Sequence, residues 1–512
     1  MAVPRPTQLR SSPIRELAAL VGAEDPASGV SVTGVTLDSR AVLPGDLYAA
    51  LPGARAHGAD FTGQAADAGA AAVLTDRAGA DLISAAGIAL PAVVVEQPRS
   101  VLGAVCARVL GTEHLALRLV GITGTNGKTT TAYLVHSALT ALGRHPGLIG
   151  TVETRIGEER LDSVRTTPEA PELHAVLAVM EERGLDSCVM EVSSHALAQH
   201  RVDGVVYDVA LFTNLSQDHL DFHADMDDYF AAKASLFTPE RARQALVCID
   251  DDWGRRLVER SGIPVSTIGT AADADWRIRV DTDDPAAFHL VGPGVDLHLR
   301  SSLPGDFNVT NTAMATAALV LLGEDAGAVG GAVLTDPHVP GRMEAVAAPD
   351  GVDAPRAVVD YAHTPEAIRA ALRALRPSTP GSLVVVTGAG GDRDRDKRHL
   401  MGAAAAEVAD LVVVTDDNPR SEDPAAIRAA VLEGVEATRG TGRDLAVLEV
   451  GDRRAAITAA VEAVWAQGAA ATVAVVGKGH ESGQDVGGVV HPFDDRAEVA
   501  QALRRAAGEG VA

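Results

Sequence analysis

Short β-rich apolar runs alternate with helical stretches from one end of this chain to the other, and this alternation narrows the possible folds more than any other feature. The runs lie at 46–51, 70–75, 92–96, 117–122, 188–191, 209–213, 245–249, Leu383–Thr387, 411–415 and Thr472–Val476. Strands that alternate with helices pair into parallel sheets whose faces the helices cover. The sequence therefore predicts an α/β protein with mostly parallel sheets.

Length and turn residues divide this pattern into three parts. The chain has 512 residues and a mass of 52.7 kDa, which corresponds to about three domains at roughly 100–200 residues each. Turns near Pro98 and near Pro340 suggest domains at 1–98, 99–340 and 341–512. Since 46% of the residues are hydrophobic, each part can bury a core of its own.

Charge and composition exclude several classes of protein. With 44 basic and 69 acidic residues the net charge is −25, which opposes general binding to nucleic acid or to anionic membranes. No apolar run approaches the ~18 residues of a membrane span, and the N-terminus lacks a secretory signal, so we expect a cytoplasmic protein. Cys106, Cys188 and Cys248 fit neither a disulfide framework nor a zinc site, which favours buried, reduced cysteines.

A glycine-rich loop connects the run at 117–122 to a helix that should end near residue 142. The loop at 121–130 reads GITGTNGKTT, and Gly124 and Gly127 let its backbone N–H groups point at an anion. Lys128 would reach the β- and γ-phosphates of a nucleotide, and the Thr129 hydroxyl would bind Mg²⁺. The ordinary Walker spacing is absent because Ile122 stands where the first glycine would fall, and a glycine-rich turn without a ligand is the alternative. The other loop residues expected at the nucleotide are Thr125, Asn126 and Thr130.

Further motifs follow this loop in a characteristic order. They read MEVSSHAL at 190–197, NLSQDHLDFH at 214–223, YFAAKASLF at 229–237 and LPGDFNVTN at 303–311. Together with the phosphate loop they resemble the Mur ligases, the ATP-dependent amino-acid-adding enzymes of peptidoglycan synthesis, over almost the whole chain. The resemblance implies a small α/β UDP-binding domain, a central P-loop ATPase-like domain and a C-terminal Rossmann-like domain that binds the amino acid.

The implied reaction transfers the γ-phosphoryl group of ATP to a substrate carboxylate, and an amine then attacks the acyl phosphate to give an amide, ADP and phosphate. Charge neutralisation dominates such chemistry, so Mg²⁺ ions are the natural counter-charges. The resemblance gives catalytic roles to Lys128, Glu191, His219 and Lys233, and metal-binding roles to Thr129, Glu191, His219 and a carbamate on Lys233. From the residues alone, a structural histidine and a solvated lysine remain open, although apolar neighbours such as Phe230 and Phe237 could lower the Lys233 pKa and allow reaction with CO₂.

The resemblance also places ATP contacts outside the phosphate loop. Asn308 would contact the nucleotide from the central domain, and Arg342 and Asp360 would reach over from the last domain. Because these two residues follow the predicted boundary, closure of the domains would assemble the site and exclude water. The alternative is that Arg342 and Asp360 form salt bridges on the protein surface.

The acceptor implied by the resemblance is UDP-MurNAc-L-Ala-D-Glu. Leu37 and Ser39 match the uridine-binding stretch, and residues 53–56 would face the diphosphate. Arg201 suits the D-glutamyl end because a guanidinium can hold a carboxylate through two hydrogen bonds. The other residues expected at the muramoyl peptide are Thr166, Thr167, Ser193 and Gln199.

Three loops after buried strands of the last domain would share one pocket, because ligands bind beyond the carboxyl ends of parallel strands. Their sequences are GGDR at 390–393, DNPR at 417–420 and GKGHE at 477–481. The resemblance implies that they select meso-diaminopimelate, whose distal carboxylate calls for positive planar donors such as Arg420 and Arg393. Pro419 fixes its own φ and would hold Arg420 in place. The remaining predicted contacts are Asp417, Asn418, Gly477 and Glu481, and charged surface loops are the alternative.

Two other functions stay open at this stage. A folylpolyglutamate-type ligase would share the phosphate loop and the lysine segment, but the full first domain and the DNPR loop argue against it. A P-loop regulator that makes no bond would leave Glu191, His219 and Lys233 unexplained. We therefore expect a monomeric ligase whose partners are small molecules: ATP, the UDP-linked acceptor and the amino acid.

Overall fold

The computed structural model describes residues 4–335, 337–438 and 445–508, and these residues contain three large sheets in chain order, each with its own core, and two two-stranded sheets. The elements before residue 111 are β1 Ser12–Pro13, α1 Ile14–Leu20, β2 Ser31–Val32, β3 Gly34–Thr36, β4 Asp46–Ala49, α2 Thr62–Asp67, β5 Ala72–Thr75, α3 Arg77–Ala85, β6 Ala92–Val94 and α4 Pro98–Leu110. Strands β3 to β6 form a parallel sheet in sequence order, and β1 and β2 form a small antiparallel pair.

The second sheet has eleven strands. Its elements are β7 Arg118–Thr123, α5 Lys128–Ala141, β8 Pro146–Ile149, β9 Glu153–Ile156, β10 Glu159–Asp162, α6 Ala170–Glu182, β11 Ser187–Glu191, α7 Ser194–Ala198, β12 Val209–Phe212, α8 Met226–Ala234, β13 Ala245–Cys248, α9 Asp252–Arg260, β14 Val265–Gly269, β15 Trp276–Val280, β16 Ala287–Gly292, β17 Val295–Arg300, α10 Asp306–Leu321 and α11 Ala326–Ala332. The strand order is β10-β9-β8-β11-β7-β12-β13-β14-β15-β16-β17. Strands β8 to β15 of this order are parallel, and antiparallel strands extend both edges.

The third sheet has the order β18-β19-β23-β20-β21-β22, and only β18 is antiparallel to its neighbour. Its part of the chain contains β18 Glu344–Val346, β19 Arg356–Asp360, α12 Pro365–Leu375, β20 Leu383–Thr387, α13 Lys397–Ala406, β21 Leu411–Val414, α14 Pro424–Thr438, β22 Ala446–Glu449, α15 Arg453–Val464, β23 Thr472–Val476, β24 Gly483–Val486, β25 Val489–Pro492 and α16 Asp495–Ala506. Strands β24 and β25 form a separate hairpin. Short 3₁₀ helices lie at Gly58–Phe61, Thr112–His114, Arg376–Ser378 and Trp465–Ala470.

The predicted α/β class is confirmed, and the predicted buried strands end within a residue or two of the observed ones. The runs at 188–191 and 209–213, for example, correspond to β11 and β12, whose residues are all buried. The sheets fall inside the ranges 1–98, 99–340 and 341–512, although the division into domains itself stays a prediction. The three cysteines are buried and free, as expected.

The antiparallel edges of the central sheet were not predicted. Strands β10 and β17 carry exposed polar side chains at alternate or consecutive positions, so they lack the continuous apolar run of a parallel strand. Within the described ranges, no helix combines the length and the apolar character that a membrane span requires.

Candidate active site

The phosphate loop lies at the carboxyl end of β7, in the middle of the eleven-stranded sheet. Gly124 and Gly127 have φ values of +147° and +86°, and α5 begins directly after Gly127. A Cβ atom on Gly124 would lie 1.9 Å from the Thr213 hydroxyl, and one on Gly127 would lie 2.5 Å from Asn311 Oδ1. These two glycines are therefore required both for the turn and for the close approach of neighbouring loops.

Lys128 lies across this loop. Its Nζ donates hydrogen bonds to the carbonyl oxygens of Gly124 and Thr125, at 2.9 Å and 2.8 Å. Burial lowers the pKa of its ammonium group, and the negative charges of Glu191 and Asp218 oppose that shift. The side chain points into the loop, as a phosphate ligand should, and does not join the apolar core.

Glu191 ends β11, which is the strand next to β7, and its side chain is fully buried. The Thr129 hydroxyl donates to Glu191 Oε2 at 2.8 Å, and the backbone N–H of Thr151 donates to Oε1 at 2.7 Å. The Thr151 hydroxyl adds a third hydrogen bond at 3.0 Å. The carboxylate thus stands beside the hydroxyl that begins the phosphate-loop helix, where it could share a cation with it.

Lys233 is an unusual lysine because it is 1% exposed on helix α8. Its Nζ donates to the Gly124 carbonyl oxygen at 2.7 Å and lies 4.6 Å from the centre of the Tyr229 ring. Burial, together with the nearby charge of Lys128, holds the pKa of Lys233 well below its ordinary value. The solvated-face interpretation is therefore wrong, and the lysine lies in the same cavity as the phosphate loop.

His219 follows β12 in a left-handed conformation, with φ of +58°, and its side chain is 40% exposed. Burial of the rest of the ring lowers the pKa of His219, so the neutral imidazole that metal ligation requires is favoured. His195 packs against it with ring centroids 4.9 Å apart.

Asp218, next to His219, was not among the predicted residues although it is central to the site. It is buried, and its Oδ1 accepts a hydrogen bond from Lys397 Nζ at 3.2 Å. His363 Nε2 lies 3.6 Å from its Oδ2. Burial alone would raise the pKa of Asp218, but His363, His219 and Lys397 hold it well below the ordinary range. Because His363 and Lys397 follow the boundary predicted near 340, this carboxylate joins the last part of the chain to the central sheet.

Arg342 makes a second connection of the same kind. Its Nη2 donates to the Thr129 hydroxyl at 3.2 Å, and its guanidinium covers the Tyr361 ring at 4.4 Å. Asp360 accepts backbone hydrogen bonds from Met343 and Ala362, and burial raises its pKa. Asn308 is buried at the start of α10 and accepts a hydrogen bond from Asn311.

One cavity of about 580 Å³ unites these groups. Its lining includes the phosphate loop, the carboxylates of Glu191 and Asp218, and side chains from the last part of the chain. The predicted residues among the lining are Thr125, Asn126, Gly127, Lys128, Thr129, Thr130, Thr166, Glu191, Ser193, His219, Lys233, Asn308, Arg342 and Asp360. Thr151, Asp218, Asn311 and His363 are lining residues that the sequence analysis did not single out.

A second cavity of about 1190 Å³ lies between the first sheet and helix α6. Leu37, Ser39, Gly53 and Ala56 line it, which brings together the stretches predicted for uridine and diphosphate. The Ser39 hydroxyl donates to Gln64 Oε1 at 2.9 Å. Arg99 and Arg165 supply positive charge to the same cavity.

Of the residues predicted at the peptide end, Thr166 and Ser193 line the first cavity, and the others lie close to them in the fold. The buried Thr167 hydroxyl donates to the Glu191 carbonyl oxygen at 2.9 Å, and Ser193 caps helix α7. Arg201 Nε lies 2.9 Å from Glu169 Oε1, and its Nη2 donates to Gln199 Oε1 at 2.5 Å. The arginine is thus already paired with a carboxylate of the chain, so a substrate carboxylate must compete with Glu169 or join it.

The three loops of the last sheet contact one another, and the ligand pocket that they would share stays a prediction. The Gly391 N–H donates to the Asn418 carbonyl oxygen at 2.9 Å, and Arg420 Nη1 donates to the Gly391 carbonyl oxygen at 2.6 Å. Arg420 adopts φ of +51°, which the fixed φ of Pro419 does not impose. Its backbone is held instead by hydrogen bonds to Asp485 and from Gly487 of the β24–β25 hairpin. Arg393 is 54% exposed and points toward Asp221 of the central part, 3.7 Å away.

The buried side chain of Lys478 connects two of these loops through hydrogen bonds. Lys478 was not predicted as a site residue. Its side chain is 0% exposed, and Nζ contacts Asn418 Oδ1 at 2.9 Å, Glu481 Oε2 at 3.2 Å and Asp417 Oδ1 at 3.3 Å. Asn418 also donates to Glu481 Oε2 at 2.9 Å. A Cβ on Gly477, whose φ is +116°, would lie 3.0 Å from Asp417 Oδ2.

One signal in the sequence could have found the missed cations. Only four of the 44 basic residues are lysines, and they are Lys128, Lys233, Lys397 and Lys478. All four contact the residues of the two ligand sites described above. In a chain that otherwise uses arginine, lysine is kept where a compact ammonium group is needed.

Three segments match known protein families. Residues 31–109 match the Mur ligase family catalytic domain, residues 122–319 the Mur ligase middle domain, and residues 341–479 the Mur ligase glutamate ligase domain. The chain therefore belongs to the Mur ligase family, the class that its fold and phosphate site already indicate.

The relatives are more specific than the family. UDP-N-acetylmuramoyl-L-alanyl-D-glutamate–2,6-diaminopimelate ligase of Streptomyces avermitilis is 52% identical over 510 residues, with 99% of each chain covered. The enzyme of the same name from Corynebacterium glutamicum is 48% identical over 482 residues, with 92% of each covered. A solved structure of a ligase of this name, 31% identical, superposes with a TM-score of 0.66 and covers 97% of this chain and 99% of its own. MurF ligase from Thermotoga maritima in complex with ADP shares the fold at 19% identity and a TM-score of 0.61, covering 93% of this chain and 98% of its own.

Proposed function

We propose that this protein is an ADP-forming amide ligase that adds meso-diaminopimelate to the D-glutamate of UDP-MurNAc-L-Ala-D-Glu during peptidoglycan precursor synthesis. The observation that carries the proposal is the single cavity in which the phosphate loop, Glu191, Asp218 and Lys233 meet Arg342 and His363. The relatives named for this reaction, which match the chain from end to end, supply the identity of the substrates.

ATP binds with its phosphates on the loop at 121–130. Bound phosphates would replace the carbonyl oxygens of Gly124 and Thr125 as partners of Lys128, and Arg342 stands at the same helix start. The γ-phosphoryl group passes to the D-glutamyl carboxylate, and the amine of the incoming amino acid attacks the acyl phosphate and releases phosphate. The chain contributes fixed positive groups around the phosphates, which is what phosphoryl transfer needs.

The chemistry of the donors fits Mg²⁺. Hard oxygen ligands are present in the Thr129 hydroxyl and the Glu191 carboxylate, 2.8 Å apart, and His219 lines the same cavity. When bound, Mg²⁺ would neutralise charge on the transferring phosphoryl group. A carboxylate at the end of Lys233 would complete this donor set.

Lys233 is suited to carry that carboxylate. Burial lowers the pKa of its amine, which favours the neutral form. The neutral amine attacks CO₂, a C–N bond forms, and one proton leaves to give a carbamate anion. The new anion would then face Lys128 and His219 within one cavity. The carbamate anion would attract the ammonium group of Lys128, whereas a charged Lys233 would repel it.

The acceptor enters through the larger cavity, with its uridine at Leu37 and Ser39 and its diphosphate at 53–56, near Arg99 and Arg165. Its peptide reaches the catalytic cavity past Thr166, Thr167 and Ser193. The amino acid binds at the loops held by Lys478, with Arg420 on its distal carboxylate. We place the reaction in the cytoplasm, where ATP is available, and propose a monomer with small-molecule partners only.

A ligation assay tests this function. Purified protein is incubated with ATP, Mg²⁺, UDP-MurNAc-L-Ala-D-Glu and either meso-diaminopimelate or L-lysine, and ADP and product mass are measured. We expect ADP and the amide product with meso-diaminopimelate, and neither when the acceptor is omitted. In a parallel reaction a folate and glutamate replace the acceptor and the amino acid. ADP formed only in that reaction would support the folylpolyglutamate alternative, and the absence of any product would contradict the proposal.

A further inference from the structure

A group of side chains that the reaction does not use lies on the outer face of the antiparallel edge of the central sheet. Asp281 follows β15, His289 lies on β16 and His298 lies on β17. One potential ligand atom from each lies within 4.8 Å of the other two. We propose that these residues form a binding site for one divalent cation of the borderline-soft class, such as Zn²⁺.

Strand register sets the geometry of the two imidazoles. His289 and His298 are direct partners in the β16–β17 ladder, and their ring centroids are 4.7 Å apart at an angle of 36°. Since directly opposite side chains leave the sheet side by side, both rings reach one point in solvent. The site is thus built on rigid strands and not on a loop.

The distance between two of the three ligand atoms suits a tetrahedral ion. With Zn–N bonds of about 2.0–2.1 Å, two ligand atoms of such an ion lie about 3.3 Å apart. Asp281 Oδ2 and His298 Nε2 are separated by 3.1 Å, so a cation could bridge them with little movement.

Asp296 supplies the outer contact that such sites usually contain. Its Oδ1 lies 3.4 Å from His289 Nδ1, so Asp296 could accept a hydrogen bond from this nitrogen and leave Nε2 free for the cation. Metal-binding histidines generally donate their second N–H to a carboxylate or carbonyl, which fixes the ring. The side chains of His289 and His298 are 47% and 59% exposed, so a cation has free access.

Ligand type and charge separate this site from the Mg²⁺ site. Two imidazoles and one carboxylate favour zinc, nickel or copper over the hard cations Mg²⁺ and Ca²⁺.

Arg279 is the direct partner of His289 in the β15–β16 ladder, and its positive charge opposes cation binding. An ion here would join β15, β16 and β17 and so hold the edge of the sheet that carries the catalytic loops.

Equilibrium dialysis of the full chain against Zn²⁺, with excess Mg²⁺ and ADP to occupy the catalytic cavity, tests the proposal. We expect His289→Ala and His298→Ala each to lose one equivalent of zinc per chain relative to wild type. His114→Ala, at an exposed histidine on another surface, is the matched control and should lose none. Asp296→Asn should weaken the affinity by about 10- to 100-fold, and Arg279→Ala should strengthen it.

Circular dichroism confirms that each variant is folded, and the electron paramagnetic resonance of one bound Cu²⁺ should show coupling to two nitrogens in wild type. Equal zinc content in wild type and in both histidine variants would overturn the proposal. So would a loss of zinc in His114→Ala that matches the loss in the two variants.

Discussion

Lys233 is the residue whose role depends most on its surroundings. Lys233→Ala should abolish nearly all turnover, because it removes both the amine and the carboxylate that we propose on it. Short carboxylic acids at high concentration should restore part of the activity, since the missing group is a carboxylate, whereas alkylamines should not. Steady-state ADP release with acetate or ethylamine added measures both outcomes.

The scarcity of lysine makes the modification directly visible. In wild-type protein equilibrated with ¹³CO₂, we expect a ¹³C resonance in the carbamate region that disappears in Lys233→Ala. Wild-type activity in the alanine variant, or an unchanged carbamate resonance, would show that Lys233 carries no such group.

Arg420 is the residue that should distinguish the two amino acids. L-Lysine has hydrogen in place of the distal carboxylate of meso-diaminopimelate, so it leaves the guanidinium without its partner. Loss of one partner of a buried charge pair costs about 2–5 kcal/mol, which corresponds to about 30- to 3,000-fold discrimination in kcat/KM. Arg420→Ala should remove most of this ratio by weakening diaminopimelate, and Arg420→Lys should recover little of it.

The exposed Arg373→Ala on helix α12 is the control for loss of a positive charge alone. The assignment to Arg420 would be wrong if wild type prefers lysine, or if Arg420→Ala leaves the ratio of the two kcat/KM values unchanged. Arg393 or Glu481 would then be the residue that selects the amino acid.

The sequence predicted those residues whose chemical role follows from a local motif. It missed those whose role depends on contacts with residues far away in the chain. Lys128 and Thr129 follow from the glycine-rich loop itself. Asp218 and Lys478 are ordinary charged residues in sequence, and their roles arise from partners at Lys397 and Asn418, which are 179 and 60 positions away. Such pairings depend on which strands become neighbours, which no local pattern contains.

The buried ammonium group of Lys478 holds the loops after β21 and β23 in contact with one another. Lys478→Met should raise the KM for the amino acid and leave the KM for ATP nearly unchanged, because the ATP site lies on the central sheet. Breaking a buried ion pair from one side costs roughly 3–5 kcal/mol, so the free energy of unfolding should fall by a comparable amount. Denaturant unfolding and the two KM values check this, and equal changes in both KM values would contradict it.

Helix α6 carries a buried histidine that should make stability depend on pH. The Thr112 hydroxyl contacts His174 Nδ1 at 2.5 Å, and Nε2 lies 3.0 Å from the Asp203 carbonyl oxygen, which can only accept. Nε2 therefore holds the proton of a neutral ring, and burial lowers the pKa of His174 from 6.5 to about 4.

Because the folded pKa is depressed, the unfolded chain binds more protons between these two values. The stabilisation is fully present above pH 6.5 and falls by about 3 kcal/mol as the pH decreases toward 4. The free energy of unfolding, measured across this range, should fall less steeply for His174→Gln than for wild type. Equal slopes would mean that the ring also binds a proton in the folded protein.

Element order was the most predictable part of the fold. Fully buried parallel strands such as β20 and β23 are continuous apolar runs, so they can be identified in a sequence. Strands β16 and β17 were missed, because β17 exposes alternate side chains and the exposed His289 interrupts the apolar run of β16. The proposed cation site lies on these same strands.

On the scale of the whole molecule, the contacts of Asp218 with Lys397 and His363, and of Thr129 with Arg342, join the last sheet to the central one. Lys397→Met removes one of these contacts without touching the phosphate loop. We expect kcat to fall for the complete reaction while ADP affinity, measured by calorimetry, changes little. Lys397→Arg, which keeps the charge, should recover part of kcat, and full activity in Lys397→Met would show that the contact has no part in closure.

In the proposed reaction this chain activates the D-glutamyl carboxylate as an acyl phosphate within the cavity shared by its last two sheets. Isotope transfer tests this most directly: UDP-MurNAc-L-Ala-D-Glu labelled with ¹⁸O in the γ-carboxylate is ligated to meso-diaminopimelate, and the phosphate and the amide are analysed by mass spectrometry. We expect one ¹⁸O in each phosphate released and one retained in each amide product, with ADP as the nucleotide. Unlabelled phosphate, or AMP as the nucleotide product, would contradict it.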